Sequence, residues 1–141
     1  MNEPKCDPLL DLFQLQALKA IYCETVDDSV NDVNRAAARL RELFTEDATA
    51  DYGTGVLEGR DAVIGFLLKA ISTGSDSAWH SIHSPRIEID GDTAIGRWTL
   101  MARMTRKGST QVETIIGRYG DEFRRTPGGW RISCVRFKRE G

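Results

Sequence analysis

The chain has 141 residues, 40% of them hydrophobic and 28% charged, with a formal net charge of -2. That is the size of one domain with its own core, and the near balance of charge gives no general pull toward nucleic acid or anionic lipid. No apolar run approaches the roughly 18 to 20 residues of a membrane span, and MNEPKCDPLL lacks a basic segment followed by an apolar stretch, so a cytoplasmic protein is expected.

A flexible N-terminus is expected over residues 1–8 and a single domain over 9–141, since no repeat or linker divides the chain. From Leu9 to about Val26, Leu12, Leu15, Leu18, Ile21 or Tyr22, and Val26 recur at helical spacing. A second helix fits Val30 to Phe44, capped by Asn31 or Asp32. The segment TEDATADYG predicts a strand of about four residues, GVLEGR a connection, and Asp61 to Ile71 a third helix ended by STGSDS. From Trp79 the period becomes two. Arg86 to Ile89 alternate into the turn Asp90-Gly91-Asp92, and the next strand puts Ala94, Trp98, Leu100, Ala102 and Met104 on one face. Lys107-Gly108-Ser109 turns into a strand through Ile115, Tyr119 and Phe123, and Pro127-Gly128-Gly129 turns into WRISCVRFK. The fold class that follows is α+β: three N-terminal helices packed on an antiparallel meander whose long strands, in so small a domain, are expected to coil into a strongly curved cone.

Cys6, Cys23 and Cys134 are far apart and odd in number, so reduced thiols are expected and no disulfide framework. There is no GxGxxG, Walker A loop, GxSxG, HExxH or CxxC. His80 and His83, three apart on a strand, point to opposite faces and do not close easily on one ion, so no metal is expected.

The segments LKAIYCETVDD, RLRELFTEDATADYG, LEGRDAVIGFL, HSIHSPRIEIDGDTAIGRWTL, GRYGDEFRR and GGWRI, in this order, resemble the SnoaL-like family of the NTF2-like superfamily. Within it the chain looks most like the bile-acid 7-alpha-dehydratases, and less closely like scytalone dehydratase and hexachlorocyclohexane dehydrochlorinase. The resemblance implies a cofactor-free lyase acting on a hydrophobic substrate. The family's His falls on His80, its helix Tyr on Tyr22, its Asp on Asp27, a second Tyr on Tyr52, and an Arg of the last strand on Arg139. Ala102 stands where the bile-acid enzymes carry an Asp, which makes isomerisation an alternative to dehydration. Extra residues between Asp27 and Phe44 make Asp28 or Asp32 substitutes for Asp27.

Physically, a neutral imidazole beside a carboxylate serves as a general base near neutral pH. Simple alternation from Ile87 and Ile89 puts His83 inward and His80 outward; only a bulge near Ser84, next to Pro85, reverses this. The resemblance, combined with such a bulge, makes His80 the expected base and leaves His83 as the alternative. Tyr22 and Tyr52 would hydrogen-bond a developing oxygen charge. Arg139 would bind an anionic tail, and Trp98, Ala102 and Phe66 would line an apolar pocket for a polyketide, steroid, terpenoid or aromatic ring. Ile95 and Met101, apolar on the Arg97 face, favour packing through the sheet, and the resemblance implies a homodimer or homotrimer assembled there. The alternatives are a non-catalytic ligand-binding or oligomerisation domain, and the small subunit of a ring-hydroxylating oxygenase.

Overall fold

The computed structural model describes residues 7–140. The expected flexible segment 1–8 and Cys6 fall mostly outside them. The two described residues of that segment start a helix: Asp7 is the N-cap of α1 (Pro8–Asp28), accepting from the Leu9 and Leu10 amides, and Pro8 opens the first turn.

The helix α1 buries Leu15, Leu18, Tyr22 and Val26. Its N-terminal end is tied to the far end of the sheet. Asp11, 4% exposed, accepts two hydrogen bonds from Arg125 and one from the Trp130 indole. The Arg125 guanidinium, helped by that indole, holds the Asp11 carboxyl below the usual carboxylate range. Asp32, whose side chain accepts from the Arg35 amide, caps α2 (Val33–Leu43) and is thereby committed to the helix end. The chain then passes directly into β1 (Phe44–Asp51), which turns back through β2 (Val56–Glu58) into α3 (Arg60–Leu67) and a π-helical turn (Leu68–Thr73). Four long strands follow: β3 (Ser75–Asp90), β4 (Thr93–Arg106), β5 (Val112–Thr126) and β6 (Gly129–Glu140).

These strands form one sheet in the order β2-β1-β6-β5-β4-β3. The meander β3 to β6 is antiparallel, but β1 joins β6 in parallel, with Thr49 opposite Cys134 and Asp51 opposite Arg136. The expectation of a strongly curved antiparallel cone is thus corrected. The sheet is mixed and open, with β2 and β3 as free edges, and it is not strongly curved. Strand length alone does not impose coiling here, because the irregularities are taken up locally, between His83 and Arg86 and between Glu122 and Phe123. The strand β1 is also twice the expected length, and β3 begins at Ser75, within the expected breaker.

The helices cover one face of this sheet. Leu15, Leu40, Val63, Ile132 and Val135 are fully buried there, and Trp98 packs edge-on against Phe123. Close approach fixes one glycine: a Cβ on Gly117 of β5 would lie 2.5 Å from the Lys138 carbonyl oxygen and 2.5 Å from the Phe137 ring. Gly117→Ala is expected to cost roughly 1–3 kcal/mol in urea denaturation, because a strand carbonyl cannot step aside. An unchanged midpoint would mean that β5 and β6 separate freely at this point.

Among the described residues, no helix is long and apolar enough to cross a membrane. Cys23 and Cys134 are buried free thiols, and burial pushes the Cys23 thiol up to about 12, far from a thiolate nucleophile at neutral pH.

Candidate active site

Two features of the backbone bring His80 to the helices. One is the bulge in β3. His83 pairs with Thr99 and Arg86 with Arg97, so β3 carries one extra residue against β4, and Ser84 adopts a positive φ of 54°. Below the bulge Ala78, His80 and Ile82 turn inward; above it Ile87 and Ile89 do. The phase that simple alternation denies to His80 is restored by this residue, and His83 is left exposed on the outer side. The second feature is the end of α1. The Ser29 amide bonds back to Thr25 and Val26, the Ser29 hydroxyl donates to the Val26 carbonyl at 2.6 Å, and the Ser72 hydroxyl of the π turn donates to the Ser29 carbonyl at 2.8 Å. The last turn of α1, which carries Asp27, is therefore pinned over β3.

Asp27 grips His80 with both oxygens. Oδ1 lies 2.6 Å from the imidazole Nδ1, and Oδ2 accepts the His80 backbone amide at 2.8 Å. The two side chains are only 8% and 18% exposed. With the ring neutral, the Nδ1 proton goes to Asp27, and Nε2 carries the lone pair. No described residue hydrogen-bonds to Nε2. Asp28, one residue on, is exposed and contributes its backbone carbonyl to the turn that leads to α2.

His80 forms part of the wall of a cavity of about 350 Å³ between the helices and the sheet. Leu100, Met104, Ile115 and Phe137 supply apolar surface, and Ala102, opposite His80 in the β3–β4 register, leaves space where a larger side chain would fill it. Phe66 lines the cavity and stacks on Tyr52 with ring centroids 5.1 Å apart. The hydroxyls of Tyr22 and Tyr52 are 2.7 Å apart. Burial is the main cause pushing both phenols upward, so both stay protonated. One of the two protons is used between them. Arg139 is among the residues lining the cavity. Trp98 is not: it is 3% exposed, in the core beside Phe123.

Sequence reading missed an ion pair behind this wall. Lys19 Nζ lies 2.8 Å from Asp121 Oδ2, with both side chains fully buried, and the ammonium sits 3.5 Å and 4.0 Å from the ring centroids of Tyr119 and Tyr22. The signal was present. Lys19 falls on the Leu15, Tyr22, Val26 stripe, and Asp121 is in phase with Tyr119 and Phe123. Two opposite charges at inward positions of facing elements are a pair. Among the described residues, no group of three or more His, Cys, Asp or Glu side chains is placed to hold a metal ion.

Comparison with known proteins agrees with this architecture. The chain is 32% identical over 124 residues to the uncharacterized protein Rv2910c of Mycobacterium tuberculosis, covering 86% of this chain and 80% of the relative. Two crystal structures from Novosphingobium aromaticivorans superpose closely. One is named "putative aromatic ring hydroxylase" (26% identity, TM-score 0.82, covering 97% of this chain and 93% of that one). The other is named "putative scytalone dehydratase" (21% identity, TM-score 0.81, covering 94% and 86%), and at that identity the likeness is one of fold. The model of the SnoaL-like domain matches residues 7–136, nearly the whole chain, and the protein therefore belongs to the SnoaL-like family of the NTF2-like superfamily.

Proposed function

We propose that the protein is a cofactor-independent lyase or isomerase acting on a small hydrophobic cyclic substrate. The observation that carries this reading is the Asp27–His80 pair, with His80 in the wall of an apolar cavity and no described residue bonded to its Nε2. In the proposed reaction Nε2 removes a proton from a carbon next to a carbonyl or aromatic system. Asp27 holds the ring and stabilises the imidazolium as it forms. Tyr22 or Tyr52 donates to the oxygen on which charge develops, and its high pKa keeps the proton in place for that purpose. From the resulting enolate, loss of a β-hydroxyl completes a dehydration, and return of the proton to another carbon completes an isomerisation. Ala102, where the bile-acid 7-alpha-dehydratases have an acid, removes one candidate for protonating a departing hydroxyl and favours the isomerisation branch. It equally favours the second reading, a cavity that binds a ligand without transforming it.

The proposed setting is a cytoplasmic homodimer or homotrimer assembled through the outer face of the sheet, where Ile95, Met101 and Ile116 are each nearly half exposed.

The test combines two measurements. Cyclic β-hydroxy ketones are screened for loss of water and for α-proton exchange, and long-range 1H–15N NMR reads the His80 tautomer. A neutral Nδ1–H form is expected, and Asp27→Asn should lower turnover by roughly 10- to 1,000-fold by mixing the tautomers. A wild-type ring protonated on Nε2, or turnover indifferent to Asp27→Asn, would sink the proposed base.

A further inference from the structure

We infer that Arg106 and Arg139 form a clamp for one acidic group, so that the ligand of the cavity is a hydrophobic ring compound bearing a single carboxylate or equivalent anion. The inference rests on reading the cavity as a ligand site and adds to it a substrate class and a second recognition residue.

Both guanidiniums line the cavity, and between them stands Glu113 of β5. Its Oε2 accepts from Arg106 Nε at 2.8 Å and its Oε1 from Arg139 Nη1 at 3.3 Å. The Arg106 guanidinium holds the Glu113 carboxyl below the usual range, so Glu113 is a fixed negative charge at neutral pH. One carboxylate against two guanidiniums leaves one positive charge in excess. It also leaves donors over: no described residue bonds to either Nη of Arg106 or to Nε and Nη2 of Arg139. A guanidinium fork matches a carboxylate in shape, and two forks held a fixed distance apart by a shared Glu are preorganised for a third, incoming acid.

The position of the clamp defines the ligand further. Arg106 and Arg139 are 47% and 52% exposed, whereas the His80 side chain is 8% exposed, so the clamp is at the solvent end and the base is at the deep end. Arg106 is four residues beyond Ala102 on the same face of β4, roughly 13 Å of extended strand, and Ala102 is opposite His80. Apart from His80, these two arginines are the only ionisable side chains other than tyrosines among the described residues lining the cavity. A ligand seated here would place its acid away from the carbon that faces His80, with rings against Met104, Ile115 and Phe137 between.

The test uses a bicyclic acid and its neutral ester, 2-naphthoate and methyl 2-naphthoate, titrated into the full chain while NMR follows the methyls of Leu100, Met104 and Ile115. The acid is expected to bind about tenfold more tightly than the ester, the scale of one partly exposed charge-assisted pair. In Arg106→Gln/Arg139→Gln the order should reverse, because Glu113 is then unpaired and repels the acid, while ester affinity, which also reports that the variant is folded, stays the same. Equal affinities in wild type, or an acid preference that survives the double substitution, overturns the clamp and leaves the cavity reading intact. If neither compound moves the cavity methyls, the cavity reading fails and the clamp falls with it.

Discussion

Replacing His80 with glutamine is expected to lower turnover roughly 10²- to 10⁴-fold, the range for removal of a positioned general base, with KM changed little. Glutamine is the informative substitution because it keeps a polar side chain of similar reach and retains the backbone amide that Oδ2 of Asp27 accepts at 2.8 Å. The anchor between α1 and β3 thus survives, and a shift in melting temperature beyond a few degrees would signal a different defect. Proton–deuterium exchange at the carbon beside the carbonyl of 2-tetralone offers a readout before any natural substrate is known, since enolate formation is shared by elimination and isomerisation. A His80→Gln chain that exchanges 2-tetralone at the wild-type rate would exclude this residue as the base and leave binding without chemistry as the reading of the cavity.

The route to His80 shows what the sequence could and could not disclose. The helices were legible because Leu15, Leu18, Tyr22 and Val26 repeat at helical spacing, and the long strands because Trp98, Leu100, Ala102 and Met104 do not alternate by accident. The phase of His80 was not legible from alternation: Ile87 and Ile89 fix the upper half of β3, and only the extra residue at Ser84, hinted at by Pro85, reverses the lower half. The strand β1 was read as too short because its inward residues after Phe44 are Ala48 and Ala50, whose small apolar surface gives a weak pattern. Its parallel pairing with β6 joins segments some 85 residues apart, and no local period encodes such a partner. The expectation of a strongly curved cone came from strand length, and the open, mixed sheet replaces it. Arg106 went unnoticed because a charged residue at a strand end beside a turn is ordinarily solvated, and no local pattern shows that it and Arg139 share Glu113.

The Lys19–Asp121 pair supports the largest stability prediction. Lys19→Met alone should cost roughly 3–5 kcal/mol at pH 8, because it leaves a fully buried carboxylate without the ammonium that pairs with it. The double variant Lys19→Met/Asp121→Leu should recover most of that loss, since apolar side chains of similar volume need no partner. Asp121 sets the pH dependence. Burial pushes its carboxyl up from 3.8 to about 6 in spite of Lys19. Between these two values the folded chain holds a proton that the unfolded chain has released. The stability this group contributes is therefore fully present below about pH 4 and is lost as the pH rises through about 6. Urea denaturation of wild type and double variant across pH 4 to 8 isolates the effect: their difference should shift in favour of the double variant as the pH rises, and the cost of Lys19→Met alone should shrink toward pH 5, where Asp121 can take up a proton. A difference flat across that range would mean that Asp121 stays ionised throughout and that the ammonium offsets its burial completely. Because Lys19 lies against the ring of Tyr22, whose hydroxyl meets Tyr52 at the cavity wall, the double variant also separates packing from electrostatics: a stable chain with slowed exchange would assign the pair to holding the tyrosine donors in place.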